Sequence, residues 1–267
     1  MNNQEREQML AQAKQWILEA GAHIRESIDQ PRQVTTKSDA KDLVTDLDEQ
    51  TEQFFTEKIR SRYPDHYVFG EEGFGDEIAS LAGVLWFVDP IDGTMNFVHQ
   101  KCNFTISIGI YEDGIGELGL IYNVMEDDLY VGMKTQGAYK NGTRLPALKS
   151  GGDLEKSILA MNAFWATPNR LIHHEAMQQL VQKVRGTRSY GSAALEFAYV
   201  AEGMVDGYLT MSLMPWDIAA GIILVDEVGG KTTTGDGKPL NMLEKNTVLT
   251  SQSAIHQEII DTYIHFK

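Results

Sequence analysis

The sequence predicts a layered α/β protein, and three observations carry that reading. Apolar residues recur at helical spacing near the N-terminus. Short alternating runs separated by turn residues fill the middle of the chain. Strand and helix signals then alternate to the C-terminus. The chain has 267 residues, enough to bury a large core without disulfide or metal staples. The expected organisation is one compact unit with an antiparallel-rich N-terminal half, 1–150, and an alternating C-terminal half, 151–267.

Leu10, Ala13, Ile17, Ala20, Ile24 and Ile28 mark one face of a first helix, which Pro31 ends. Residues 31–42 are polar and without period, which predicts a mobile loop. A second helix is expected over 48–63, with Thr51, Phe54, Phe55 and Ile59 facing inward and Pro64 closing it. Strands follow at 67–69, 84–88, 104–111, 118–122, 129–133 and 137–139. Gly114 with Gly116, and Asn141-Gly142, supply turns. The second half reads as strand 157–161, helix 173–184, strand 187–190, helix 193–201, strand 207–211, helix 217–228, strand 247–250 and helix 253–264. Gly203 ends the helix at 193–201, and Ser253 is a candidate cap for the last.

Charge narrows the partners. The formal charge is −15, from 38 acids and 23 Lys plus Arg. This disfavours nucleic acid and anionic membranes but permits a phosphate ligand if cations invert the local field. Cys102 is the only cysteine, so no intramolecular disulfide and no thiolate metal site can form. Its place before an apolar run suits a half-buried structural thiol. The first residues, MNNQEREQML, lack a basic leader with an apolar core. The longest apolar stretches, such as Ile218 to Val225, fall far short of a membrane span, and a cytoplasmic protein is expected.

The informative acids sit at turns. In WFVDPIDGTMNF, Trp86 to Phe97, a buried strand runs into Asp89, Pro90 is expected to lock a turn, and Asp92 and Gly93 follow. Asp-Pro and Asp-Gly are each ordinary turn pairs, but turn chemistry does not require two acids directly after a buried strand. The N–H groups of Gly93 and Thr94, opening the next helical turn, suit an anion. Glu71 lies in GEEG after a short strand, Asp217 opens an apolar helix after Pro215-Trp216, and Asp48 ends DLVTDLD. Each alone fits a solvated loop or a helix cap. Asp42 and Asp46 read as surface charge. The seven histidines show no ligand spacing, and His173-His174 fits a helix start. Oxygen-only donors point to Mg²⁺ or Mn²⁺ rather than zinc. Neither an EF-hand nor a G-x-x-x-x-G-K-S/T loop is present. The chemistry implied is metal-assisted hydrolysis of a phosphate ester.

These motifs resemble the inositol monophosphatase family of Mg²⁺-dependent, lithium-sensitive phosphatases. GEEG, WFVDPIDGTMNF and PWDIAAG occur in that order, supported by DLVTDLD and RSYGSAALE, so the likeness spans nearly the whole chain. The resemblance implies a sugar-phosphatase fold of alternating αβαβα layers, usually a homodimer. It implies that Glu71, Asp89 and the Ile91 carbonyl hold one ion, and that Asp89, Asp92 and Asp217 hold a second. A third, weaker ion is expected beside Glu71, near the loop carrying Lys37. Thr94 and Asp48 would activate the attacking water, with Glu71 also catalytic. Asp92, Gly93, Thr94, Gly191, Ser192, Ala193 and Asp217 would face the substrate. An acid common in the family seven positions before the Asp of the W-D pair is Thr210 here. A β-branched residue is also what a strand favours, but the change leaves room for substrates other than inositol monophosphate. NADP, fructose 1,6-bisphosphate and 3′-phosphoadenosine phosphate are the alternatives. A non-catalytic metal-binding regulatory protein is a remote one, opposed by the intact set of site residues.

Overall fold

A computed structural model describes residues 1–30, 34–36, 43–149 and 151–267. A two-stranded ribbon pairs β1 (Val34–Thr36) with β2 (Leu43–Thr45). The larger sheet has seven strands in chain order: β3 (Tyr67–Gly70), β4 (Val84–Asp92), β5 (Thr105–Glu112), β6 (Ile115–Asn123), β7 (Asp128–Met133), β8 (Gly137–Lys140) and β9 (Thr143–Arg144). Only β3 and β4 are parallel; the other neighbours are antiparallel. The second sheet contains β10 (Ile158–Met161), β11 (Gly186–Arg188), β12 (Gly207–Leu213), β13 (Gly230–Thr233) and β14 (Asn246–Gln252), in the order β11-β10-β12-β14-β13. The helices are α1 (Asn3–Ser27), α2 (Asp46–Arg62), α3 (Thr94–Gln100), α4 (His174–Lys183), α5 (Ala193–Glu202), α6 (Pro215–Glu227) and α7 (Ser253–Tyr263).

Strand alternation builds the layers. Trp86 and Val88 of β4, Ile106, Ile108 and Ile110 of β5, and Leu118 and Leu120 of β6 pack with α1 and α2. Leu85, Phe87, Tyr111 and Ile121 point the other way, into a core shared with α5 and α6. A third core joins the far face of the five-stranded sheet to α4 and α7. The order of layers is therefore αβαβα, as the resemblance implies. Each fully buried Leu or Ile contributes roughly 1.5–3 kcal/mol.

Helix α6 lies unusually close to the large sheet, and glycines explain how. Gly109 pairs with Gly119, and Gly119 with Gly132, so three strands align their glycines. A Cβ on Gly109 would come within 2.5 Å of the Ala219 Cβ, and one on Gly119 within 2.4 Å of the Ala220 carbonyl oxygen. The missing side chains form a trough for the helix that carries Asp217.

The structure also corrects several expectations. Strand β4 runs on to Asp92, so Pro90 lies inside a strand rather than in a turn. The segment 31–42 contains β1, while the rest of that expected mobile loop, with Lys37 and Asp42, lies outside the described residues. Strands β2, β9 and β13 have no counterpart in the sequence pattern. Their runs are short, partly polar or exposed, and pairing partners define them. Ser253 is the first residue of α7, not its cap, and its hydroxyl donates to the Gly229 carbonyl oxygen, 3.1 Å. Cys102 is half-buried and His173 precedes the first turn of α4, as expected. Among the described residues, no helix is long and apolar enough to cross a membrane.

Candidate active site

Asp89 and Asp92 are three residues apart, and regular alternation would send them to opposite faces. A β-bulge prevents this. Asp89 pairs with Ser107 and Asp92 with Thr105, so β4 takes three steps where β5 takes two. The extra residue brings both carboxylates to one side, Asp89 toward Asp217 at the start of α6 and Asp92 toward the start of α5. Pro90 is tolerated there because a bulge leaves a backbone N–H unpaired. The Ile91 N–H folds back to the Asp89 carboxylate, 3.1 Å.

Asp92 is the most heavily bonded acid of the site. It accepts from the Ser192 hydroxyl at 2.6 Å, the Ala194 N–H at 2.6 Å and the Ala193 N–H at 3.1 Å. It thereby holds the first turn of α5 and joins β4 to the C-terminal half. Ser192 and Ala193, expected at the substrate, direct these donors to Asp92. Gly191 adopts φ +78°, and an added Cβ would lie 2.9 Å from the Asn96 side chain. Gly93 adopts φ +95° and starts α3.

Asp48 sits in the first turn of α2 and accepts from Thr45, through its N–H at 2.9 Å and through its hydroxyl. The Thr94 hydroxyl lies 3.2 Å from the Asp48 carboxylate and 3.1 Å from the Ile91 carbonyl oxygen. Asp217 occupies the first turn of α6 and accepts from the Met214 N–H, 2.7 Å. Glu71, half-buried, follows β3 in a loop held by Glu52. That buried carboxylate accepts from the Glu72 N–H at 2.6 Å and the Phe74 N–H at 2.8 Å.

The acids raise one another. Burial first, and then Glu71, Asp92, Asp217 and Asp48, push Asp89 well above the usual carboxylate range. Asp217 is raised by burial, then by Asp92 and Glu71, against the opposing Met214 N–H. Burial pushes Asp92 and Asp48 each up to about 6, with their hydrogen bonds acting in the opposite direction. Buried acids whose main electrostatic neighbours are other acids fit a multivalent cation. Among the described residues, no three His, Cys, Asp or Glu side chains are already gathered into a closed cage. The fit therefore rests on donor chemistry and mutual repulsion.

Asp92 and Asp217 connect this cluster to a cavity of about 680 Å³, whose walls include Glu196, Thr210, Ser212 and Phe164. Sequence reasoning missed three supports. Glu52 shows as an acid on the buried face of α2. Glu196 is buried, pushed up to about 7 by burial, and accepts from the Tyr190 N–H at 2.7 Å. The Asn96 amide donates to the Tyr190 and Asn103 carbonyl oxygens at 2.6 and 2.8 Å, tying α3 to the loop before α5. Glu52 and Glu196 each leave a signal in the sequence, a charge on the apolar part of a helix; the Asn96 amide acquires its partners through the fold.

Solved phosphatases share this architecture. Staphylococcus aureus SaIMPase-II, solved with inositol monophosphate bound, matches with a TM-score of 0.86 at 39% identity over 96% of this chain and 93% of that chain. Its 2′AMP-bound form gives 0.88 at 41% over 96% and 94%. An IMPase/NADP phosphatase complexed with Mg²⁺ and phosphate gives 0.88 at 26% over 97% and 95%. Fold and acid cluster together define the class, a metal-dependent phosphatase. The model of the inositol monophosphatase family matches residues 5–264. The Bacillus subtilis (strain 168) inositol-1-monophosphatase is 53% identical over 253 residues, 95% of each chain. The chain belongs to the inositol monophosphatase family.

Proposed function

We propose that this phosphatase hydrolyses inositol monophosphate to inositol and inorganic phosphate with Mg²⁺. The observation that carries the reading is the cluster of mutually raised carboxylates beside the Thr94–Asp48 pair. Glu71, Asp89, the Ile91 carbonyl, Asp92 and Asp217 would hold two or three ions, with Mn²⁺ a possible substitute and Li⁺ inhibitory. Bound there, the ions supply positive charge that acidifies water and stabilises the phosphoryl oxygens.

The protein's own groups orient the reaction. The Thr94 oxygen accepts a hydrogen bond from the attacking water while its hydroxyl donates to Asp48. The water's proton passes toward Asp48, the water oxygen bonds to phosphorus, and the ester P–O bond breaks. The alcohol leaves with a proton from solvent. The Gly93 and Thr94 N–H groups face the phosphate. Gly191, Ser192 and Ala193 border the alcohol half. NADP, fructose 1,6-bisphosphate and 3′-phosphoadenosine phosphate carry further phosphate groups. Among the described residues the cavity is lined by no Lys or Arg, which favours a monophosphate. By likeness to the family, we also propose a cytoplasmic homodimer.

A phosphate-release assay on inositol 1-phosphate, with Mg²⁺ and after chelation, tests the reading. Turnover is expected only with the metal, declining as lithium is added. Asp92→Asn and Asp217→Asn are expected to abolish it with the fold retained by circular dichroism. Wild-type turnover in both variants would overturn the assignment.

A further inference from the structure

One buried carboxylate has no part in the chemistry proposed above. Glu52 of α2 is 0% exposed, and both of its oxygens reach the loop that carries Glu71. One accepts from the Glu72 N–H at 2.6 Å, the other from the Phe74 N–H at 2.8 Å. The residue before Glu71 is fitted to the same group. Gly70 ends β3, and a Cβ there would overlap the Glu52 carboxyl group. The backbone on both sides of Glu71 is thus set against one carboxylate. Such a group is costly to bury without donors, and its bonds to N–H groups are among the stronger hydrogen bonds. Together they hold the loop at one spacing from α2.

The same helix fixes the far end of the loop. Arg60, further along α2, pairs with Asp76 at 2.9 Å, and Asp76 accepts from the Val68 N–H of β3 at 2.8 Å. At the other end of α2, Asp48 and Glu52 stand one helical turn apart, both buried, and so share a face. Glu71 is among the charges that raise Asp48, which places the loop and that face side by side. One rigid element therefore carries Asp48 and anchors the loop of Glu71. Resting on the reading that Glu71 holds an ion, we infer that Glu52 is a positioning residue. It fixes the reach of Glu71 relative to Asp48 and thereby sets how tightly that ion is bound.

The test titrates Mn²⁺ into the full-length, chelator-treated protein by calorimetry and follows the Mg²⁺ dependence of phosphate release beside it. Glu52→Gln keeps the size of the side chain but sets an amide N–H against a backbone N–H. It is expected to weaken Mn²⁺ binding about tenfold and to raise the half-maximal Mg²⁺ concentration by a similar factor. Turnover at saturating Mg²⁺ should stay within about twofold of wild type. Glu52→Asp keeps the charge but withdraws it by one carbon, and should weaken binding too. Gly70→Ala drives a Cβ into the same carboxyl group and reaches that result by another route, even where Glu52→Gln fails to fold. Glu117→Gln is the control for lost stability. It removes a buried carboxylate that accepts from Arg6 and Lys134, and should bind Mn²⁺ as wild type does. Wild-type affinity in Glu52→Gln or Gly70→Ala, or equal weakening in Glu117→Gln, would overturn the inference. So would wild-type affinity in Glu52→Asp, which would leave charge alone as the cause. Glu71→Gln separates the two readings. Unchanged Mn²⁺ binding in that variant would strike the ion assigned to Glu71. Weaker binding there, beside wild-type binding in Glu52→Gln, would strike only the positioning role.

Discussion

Two strand ends meet at this site, one from each large sheet, and both are bulged. In β4 the register slips between Asp89 and Asp92; in β12 it slips between Thr210 and Leu213, each by one residue. In both, a three-residue spacing that would straddle the sheet is brought onto one face. The side chains then diverge. The β4 end concentrates charge, with Asp89 and Asp92 buried and raised. The β12 end presents Thr210, Ser212 and Leu213 to the cavity, all uncharged. By the function proposed above, the same backbone device would serve cation binding on one side and recognition of a neutral alcohol on the other. The charged side is an energetic liability until cations arrive, while the neutral side carries no such burden.

Neutralising the charged end should give the largest effect. Asp89→Asn is expected to lower phosphate release by more than about 100-fold, the upper end for losing a group that merely supports a metal ligand. The same change removes a buried like charge, so the melting temperature of the chelator-treated protein should rise. Activity and thermal unfolding measured on one preparation check both signs. Placing charge on the neutral end is the converse. Thr210→Glu would bury a carboxylate at a site only 6% exposed, near Glu196, and is expected to destabilise by about 1–3 kcal/mol. Urea unfolding at pH 7 measures it, and unchanged stability would show that the β12 end tolerates acid.

A third experiment strikes the support common to both ends. Gly119→Ala places a Cβ 2.4 Å from the Ala220 carbonyl oxygen and should push α6 off the sheet. The expected cost is about 1–3 kcal/mol, with weaker Mg²⁺ binding because Asp217 rides on that helix. The last experiment concerns pH in the five-stranded sheet, where the effect vanishes at neutral pH. Burial pushes His256 down to about 4, and its ring meets the Thr233 and Ser251 hydroxyls, each at 2.9 Å. The unfolded chain takes up this proton near 6.5, before the folded one does. Its contribution to stability is therefore present above about 6.5 and is lost as pH falls toward 4. His256→Gln should flatten that part of the stability curve.

Much of this was legible in the chain. Helical period exposed α1 and α2, and the acid-rich motifs located Asp48, Glu71, Asp89, Asp92 and Asp217. What stayed hidden depended on partners. The bulge in β4 is visible only against β5, which is why Pro90 reads as a turn residue in isolation. The donors that hold Asp92 come from residues about a hundred positions away. Strand β13 offers only GKTT, which becomes a strand by pairing with β14.

The sequence by itself determined the layered class, the kind of donor atom and the family motifs, because local period and residue chemistry are properties of short stretches. Tertiary structure alone decided that Asp89 and Asp92 share a face, that glycines on three strands admit α6, and that an exposed Phe164 borders the cavity. Those outcomes depend on register and close approach, which arise only when distant segments pack together.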